Sequence, residues 1–298
     1  MRAVQVPILD LRAQPRTAAA LGAHDALQET QLLYGERARV LKRDRDWVFV
    51  EAVEQPEFSH ARRWQGYPGW VPEAALAAVD PEEPPTIVIT QKWAVGWRDA
   101  RLLQPSPWRF PIGARLAAVD MGGQVWQVRM LDGGRLWLAG EAARALDEVR
   151  ALPPAEKRRL IIRAAELLIG DPYVWGGRSP GAGDPALVAG VDCSGLVSLA
   201  YRAAGVEIPR DAHEQSLRAE AVAAPRPGDL IFLSERGDPS RIVHVMLYAG
   251  EDEIIEGPGT GKAVRRIRVA ERLGHPLAAL PAGSTVDGQA VSFGAYVP

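Results

Sequence analysis

The hydrophobic pattern of the chain changes period near residue 150, and this change limits the folds that the sequence can adopt. Before this point, short apolar runs such as 47–50 and 86–90 are separated by polar turns, a pattern typical of short β-strands. Asp-Gly-Gly at 132–134 lies between two such runs and predicts a hairpin turn. The first half of the chain is therefore expected to be all-β.

After residue 150 the pattern becomes helical. Apolar residues recur at helical spacing over 154–169, where Pro154 can start a helix and Gly170 can end it. A second helical pattern runs from Cys193 to Ala204. Strand-like runs follow at 230–233, 243–249 and 253–256. Helices followed by a series of strands indicate an α+β fold.

The β half divides at a proline-rich joint, residues 81–86. Each side carries about five short strands, which suits a small barrel. We therefore expect three domains, with two small barrels at 1–80 and 81–150 and an α+β domain at 151–298.

Composition excludes several classes of function. The formal net charge is −2, whereas a sequence-independent nucleic-acid binder needs a basic excess. No run of 18 apolar residues is present, so no membrane span is expected, and the N-terminus lacks a signal-peptide pattern, which favours the cytoplasm unless such a peptide was removed. No close Cys/His cluster occurs, so no metal and no cofactor are expected.

Cys193 is the single cysteine, which excludes an intramolecular disulfide. A lone cysteine is either a buried small side chain or a reactive thiol. Cys193 falls in the first turn of a predicted helix, where free N–H groups and the helix dipole stabilise a thiolate. The same N–H groups could hold an oxyanion.

Among five histidines, His244 alone lies inside an apolar strand pattern, residues 242–247. It is either a core histidine or a general base. Glu256 ends the next strand run and could reach His244 across a hairpin that turns at Gly250, where it would orient the imidazole.

Five motifs in order resemble the NlpC-type peptidases, a family of papain-like cysteine peptidases that act on bacterial cell-wall peptides. They are Tyr-Val-Trp-Gly-Gly at 173–177, Asp-Cys-Ser-Gly-Leu at 192–196, Ile-Pro-Arg-Asp at 208–211, Pro-Gly-Asp-Leu-Ile-Phe at 227–232 and the strand at 243–250. The resemblance covers about 110 residues and implies a papain-like domain, with helices packed on an antiparallel sheet.

The resemblance assigns Cys193 as nucleophile and His244 as general base, and it puts Tyr173 near the oxyanion. Glu256 matches the third catalytic position, which is usually His in this family. Ala212 is a second departure, because relatives commonly carry Ser there. Ser194, Trp175, Arg210 and Asp211 fall at positions that imply substrate contacts, although Trp175 could equally be a packing residue.

The β half resembles the two bacterial SH3-like barrels of γ-D-glutamyl-L-diamino-acid endopeptidases, through residues 30–36 and 66–70. The resemblance implies hydrolysis of the γ-D-glutamyl–diamino acid bond in free murein peptides. Glu36, Tyr67 and Asp192 would bind the free amine of the N-terminal L-Ala.

Two other functions stay open. The barrels could anchor a secreted hydrolase on intact peptidoglycan. The scaffold could also carry amidase or acyltransferase activity, since the glycine-rich loop at 176–190 and the insertion at 235–241 could reshape the cleft.

Overall fold

Three antiparallel sheets and a few short helices make up the part of the chain that the structure describes. The computed structural model describes residues 1–17, 24–79, 84–120, 124–182 and 188–298. The proline-rich joint and the glycine-rich loop predicted from the sequence lie partly outside the described residues.

The first sheet uses residues 2–78 and is called the first barrel. Its strands are β1 (Arg2–Val4), β2 (Ile8–Arg12), β3 (Gln28–Leu33), β4 (Arg37–Asp44), β5 (Trp47–Glu57), β6 (Gln65–Pro72) and β7 (Leu76–Ala78). They pair in the order β3-β2-β6-β5-β4-β1-β7. Buried residues alternate along β6, as the period of a strand requires, and Leu11, Leu32 and Val48 fill the core.

The second sheet uses residues 87–145 and is called the second barrel. Its strands are β8 (Ile87–Ile89), β9 (Trp93–Trp97), β10 (Pro105–Pro111), β11 (Arg115–Asp120), β12 (Val125–Arg129), β13 (Arg135–Ala139) and β14 (Ala143–Ala145). The predicted hairpin turn is confirmed, because Gly133 adopts φ +86° between β12 and β13 and the side chain of Asp132 accepts from the Gly134 N–H. Both sheets suit small SH3-like barrels.

The helices lie in the second half of the chain. They are α1 (Leu146–Ala151), α2 (Pro154–Glu166), α3 (Cys193–Ala203), α4 (Ala212–Arg218) and α5 (Val269–Leu273). Helix α2 begins at Pro154 as expected but ends three residues early, because its last residues tighten into a turn closed by Gly170 at φ +88°. Helix α3 is buried along its whole length and forms the centre of this domain.

The third sheet packs against α3. Its strands are β15 (Glu220–Ala221), β16 (Leu230–Glu235), β17 (Asp238–Gly250), β18 (Glu253–Glu256), β19 (Arg265–Arg268), β20 (Thr285–Val286) and β21 (Gln289–Ala295). They pair in the order β15-β21-β16-β17-β18-β19, with β20 on β21. Strand β17 is longer than predicted, because the polar segment at 235–241 extends the β16–β17 hairpin. The α+β class is confirmed.

Arg202 of α3 joins the barrels to this domain. Its buried guanidinium donates to the carbonyl of Gly113 in the second barrel at 2.8 Å and to Glu54 in the first barrel at 2.7 Å. A continuous apolar core also runs from Leu33 and Phe110 to α3. These contacts join both barrels to the C-terminal end of α3.

Candidate active site

Cys193 is the first residue of α3 and is 8% exposed. Asp192 caps the helix, since its carboxylate accepts from the Gly195 N–H at 2.6 Å. Gly195 allows α3 to approach the loop before it, because a Cβ there would lie 2.1 Å from the Gly177 carbonyl oxygen. The thiol thus stands at the positive end of a helix whose first N–H groups have no partner within the helix.

His244 of β17 and Glu256 of β18 lie on the same face of the sheet. The strand register places Tyr248 opposite Ile254, which puts Glu256 beside the position two residues beyond His244. Nε2 of His244 and Oε2 of Glu256 are 2.8 Å apart. The contact predicted between these two residues is confirmed, and it leaves the other ring nitrogen, Nδ1, for the hydrogen bond between His244 and Cys193.

Glu256 is fully buried and is held by two arginines that sequence reasoning missed. Its Oε1 accepts from Nε and Nη2 of Arg265 at 3.0 and 2.7 Å, and its Oε2 accepts from Nε of Arg272 at 3.2 Å. Burial alone would raise the pKa of Glu256, but His244 and the two arginines lower it to about 2. The sequence carried a signal for this contact in the arginine-rich run at 265–268, which forms the strand after β18 and places Arg265 directly opposite Glu256.

The imidazole of His244 is shifted towards its charged form. Burial lowers its pKa, but hydrogen bonds with Cys193 and Glu256 and the charges of both raise it to about 9. The arrangement therefore favours the imidazolium form of His244 at neutral pH, with Cys193 as its hydrogen-bonding partner.

Tyr173 lies in the same cleft as Cys193 and is held by a backbone bridge to Val191, two residues before the cysteine. Burial, followed by the charges of Cys193 and Asp192, raises the pKa of Tyr173. Its hydroxyl therefore stays protonated and can donate a hydrogen bond.

The cleft has a volume of about 570 Å³ and lies between the first barrel and the α+β half of the chain. Cys193, Asp192, Ser194, Asp211 and Trp175 line it from one side. Gln28, Glu29, Ser59 and Tyr67 of the first barrel line it from the other. Trp175 is 50% exposed there, and its ring lies 5.3 Å from that of His24.

Three side chains form a polar cluster at the barrel end of the cleft. The Tyr67 hydroxyl donates to Asp211 at 3.0 Å and lies 3.4 Å from Glu29. Burial, together with the nearby carboxylates Asp192 and Glu214, raises the pKa of Asp211 against the lowering effect of Arg210. This end of the cleft thus presents oxygen acceptors to a ligand.

Arg210 lies beneath the cleft instead of lining it. It is fully buried and donates to both carboxylate oxygens of Asp192, at 3.1 and 2.8 Å, and to Ser194 at 2.9 Å. It also reaches Thr30 of the first barrel at 2.6 Å. Arg210 therefore holds the cap of α3 and ties it to the barrel.

The structure does not bring Glu36 to the cleft, which corrects the position expected from the sequence. Glu36 follows the turn at Gly35 and is 1% exposed, with its carboxylate 2.6 Å from Arg178 and 3.4 Å from Arg202. A carboxylate enclosed by two buried arginines has no room for a substrate amine. Glu29, seven residues earlier on β3, lines the cleft instead.

Neither a metal cluster nor a membrane helix was found where the structure describes the chain. In those residues no three His, Cys, Asp or Glu side chains converge as metal ligands. No helix described there combines the length and apolar character needed to cross a bilayer.

Comparison with known proteins agrees with this geometry. Residues 170–275 match the sequence profile of the NlpC/P60 family. A γ-D-glutamyl-L-lysine dipeptidyl-peptidase from Bacillus cereus is 29% identical over 248 residues, covering 80% of this chain and 70% of the relative. The protein of the same name from Bacillus subtilis is 28% identical over 251 residues, covering 84% and 78%.

The fold has a solved counterpart over its whole length. The crystal structure of an NlpC/P60 family protein from Bacillus cereus superposes with a TM-score of 0.78, at 23% identity, and covers 100% of both chains. This likeness establishes the fold. The family match and the two Bacillus relatives show that the chain is a cysteine peptidase, and the pairing of Cys193 with His244 suits that class. Residues 170–275 of this chain are an NlpC/P60 domain.

Proposed function

We propose that this protein is a cysteine endopeptidase that hydrolyses the γ-D-glutamyl–diamino acid bond of free murein peptides with an unblocked N-terminal L-Ala. The observation that carries the proposal is that Glu29 and Tyr67 of the first barrel line the same cleft as Cys193. A barrel wall at this point leaves room for a short N-terminal segment, and its acceptors suit an ammonium group. The names of the two Bacillus relatives support the same substrate class.

In the proposed reaction the Cys193 thiolate attacks the γ-carbonyl carbon of D-Glu, and a C–S bond forms. The oxyanion is held by N–H groups at the start of α3 and by the Tyr173 hydroxyl. The His244 imidazolium then gives its proton to the diamino acid nitrogen, and the C–N bond breaks. Water attacks the thioester, His244 takes a proton from it, and L-Ala-D-Glu is released with the thiolate restored.

Binding roles follow from what each side chain can offer. Glu29 and Asp211 would bind the L-Ala ammonium, with Tyr67 as an acceptor between them. Asp192 and Ser194 are already hydrogen-bonded to Arg210. We therefore propose that their main role is to position the start of α3, and that they contribute less to binding the substrate ammonium. Trp175 would cover the bound peptide.

Because this cleft suits free peptides, we propose that the protein acts in the cytoplasm, which cell fractionation would test.

Turnover of L-Ala-γ-D-Glu-diaminopimelate, followed by mass spectrometry of the products, tests the proposal. Wild-type protein should release L-Ala-D-Glu and the free diamino acid, and Cys193→Ala should release neither. A matched control is Ser284→Ala, a similarly small change at a half-buried position outside the cleft. Cleavage at another bond, or turnover by Cys193→Ala, would contradict the proposal.

A further inference from the structure

Charge is unevenly distributed along the cleft. Its described lining carries the carboxylates of Glu29, Asp192, Asp211 and Glu214 but a single arginine, Arg241. Three of the carboxylates already have partners, because Asp192 and Asp211 are both paired with Arg210 and Glu214 accepts from the hydroxyl of Ser59. The acidic end of the cleft that is still available to a ligand therefore lies against the first barrel, and the basic end of the cleft lies at β17.

Arg241 stands on the strand that carries the proposed general acid. It precedes His244 by three residues of β17, which corresponds to roughly 10 Å along a strand. Val243, between them, is 43% exposed and also lines the cleft. The imidazolium must reach the leaving nitrogen, so the leaving group lies on the β17 side of Cys193.

The guanidinium of Arg241 is available to a ligand. Its side chain is 66% exposed and donates to Glu235 of the same hairpin at 2.9 Å, with Glu235 itself 45% exposed. An exposed ion pair of this kind contributes little to stability, so a substrate carboxylate can replace Glu235 at small cost. A planar guanidinium also fits a carboxylate through two parallel hydrogen bonds.

We propose that Arg241 binds a carboxylate of the diamino acid in the leaving group and makes the enzyme selective for peptides that carry this carboxylate free. The inference rests on the proposed function and deepens it. It describes a substrate recognised at both ends, with the ammonium at Glu29 and Asp211 and the carboxylate at Arg241. The α-carboxylate of D-Glu is an anionic group outside the diamino acid, and the experiment separates the two positions.

Three peptides test the proposal with wild type, Arg241→Gln and Arg241→Lys. They are L-Ala-γ-D-Glu-L-Lys, its C-terminal carboxamide, and the analogue with D-isoglutamine in place of D-Glu. Wild type should prefer the free C-terminal carboxylate over the carboxamide by about tenfold in kcat/KM. Arg241→Gln should lose this preference through KM, and Arg241→Lys should retain part of it.

Arg236→Gln is the matched control, because it removes the same charge from an exposed position in the same hairpin. The proposal would be overturned if wild type and Arg241→Gln preferred the free C-terminal carboxylate over the carboxamide to the same degree. It would also be overturned if the Arg241→Gln change abolished discrimination against the D-isoglutamine peptide instead of the C-terminal carboxamide. If no peptide is cleaved, the proposed function fails. In that case, calorimetry measures the binding of the same peptides to Cys193→Ala. The proposed role of Arg241 is overturned if the free C-terminal acid and its carboxamide bind equally well, or if neither binds.

Discussion

Oε2 of Glu256 lies 2.8 Å from Nε2 of His244 and also accepts from Arg272 at 3.2 Å. The partner of the imidazole is thus itself neutralised by cations, since Arg265 occupies the other oxygen. A lone carboxylate would raise the pKa of His244 strongly, and the arginines limit that effect. The resemblance implies a histidine at this position, and the two arginines offer a physical reason why a glutamate can occupy it.

Glu256→Gln should lower kcat/KM by about 10- to 100-fold, the usual cost of losing a residue that orients a reactive group. The amide can still accept a hydrogen bond, but its lost charge lowers the pKa of His244, so the alkaline limb of the pH–rate profile should move to lower pH. Glu253→Gln is the control, because Glu253 lies on the same strand and pairs with Arg266 but has a side chain that is 29% exposed. An unchanged profile would leave Glu256 a purely structural residue.

Arg272→Gln should move the alkaline limb in the opposite direction. Removal of a cation beside Glu256 makes the carboxylate a stronger partner for the imidazolium, so the pKa of His244 should rise above about 9. Arg268→Gln, an exposed residue at the end of β19, should leave the limb where it is. A shift to lower pH in Arg272→Gln would contradict this account of the cluster.

His244 should stabilise the fold at neutral and acidic pH and lose that effect in base. Its folded pKa of about 9 exceeds the unfolded value of about 6.5, so the gain is fully present below about pH 6.5 and disappears as pH rises through 9. The gain is on the order of 3 kcal/mol. Denaturant unfolding of wild type and His244→Gln should differ at pH 6 and converge near pH 10, whereas exposed His275→Gln should match wild type throughout.

Glu29→Gln and Glu36→Gln should have different effects, although both residues flank the same turn region of the first barrel. Glu29→Gln should raise KM about tenfold with little change in kcat, because it removes an acceptor for the substrate amine. Glu36→Gln should lower the free energy of unfolding by about 3 to 5 kcal/mol, since it removes the carboxylate that neutralises buried Arg178 and Arg202. Kinetics combined with chemical denaturation would separate them, and a KM effect confined to Glu36→Gln would reverse the two assignments.

Local pattern was sufficient for much of this architecture. The period change near residue 150, the Asp132 hairpin and the start of α3 at Cys193 all depend on neighbouring residues, so they could be read from the sequence. The contact between His244 and Glu256 was also predictable, because a short hairpin at Gly250 fixes its register.

The rest depends on packing between distant segments. Glu29 lines the cleft and Glu36 does not, because the turn at Gly35 directs the Glu36 carboxylate towards Arg178 and Arg202. These two arginines come from another part of the chain. Strand β21 pairs beside β16 although some 55 residues separate them, and no local signal gives that neighbour. The contact of Arg272 in α5 with Glu256 likewise depends on packing between segments that are distant in the sequence.

The central claim is that the cleft holds a free N-terminal amine while Cys193 attacks the peptide. The most direct measurement compares kcat/KM for L-Ala-γ-D-Glu-diaminopimelate with that for the same peptide acetylated on L-Ala. The account predicts that acetylation reduces kcat/KM at least about 100-fold, because it removes the ammonium and adds bulk against the barrel wall. Equal rates on the two peptides would contradict it.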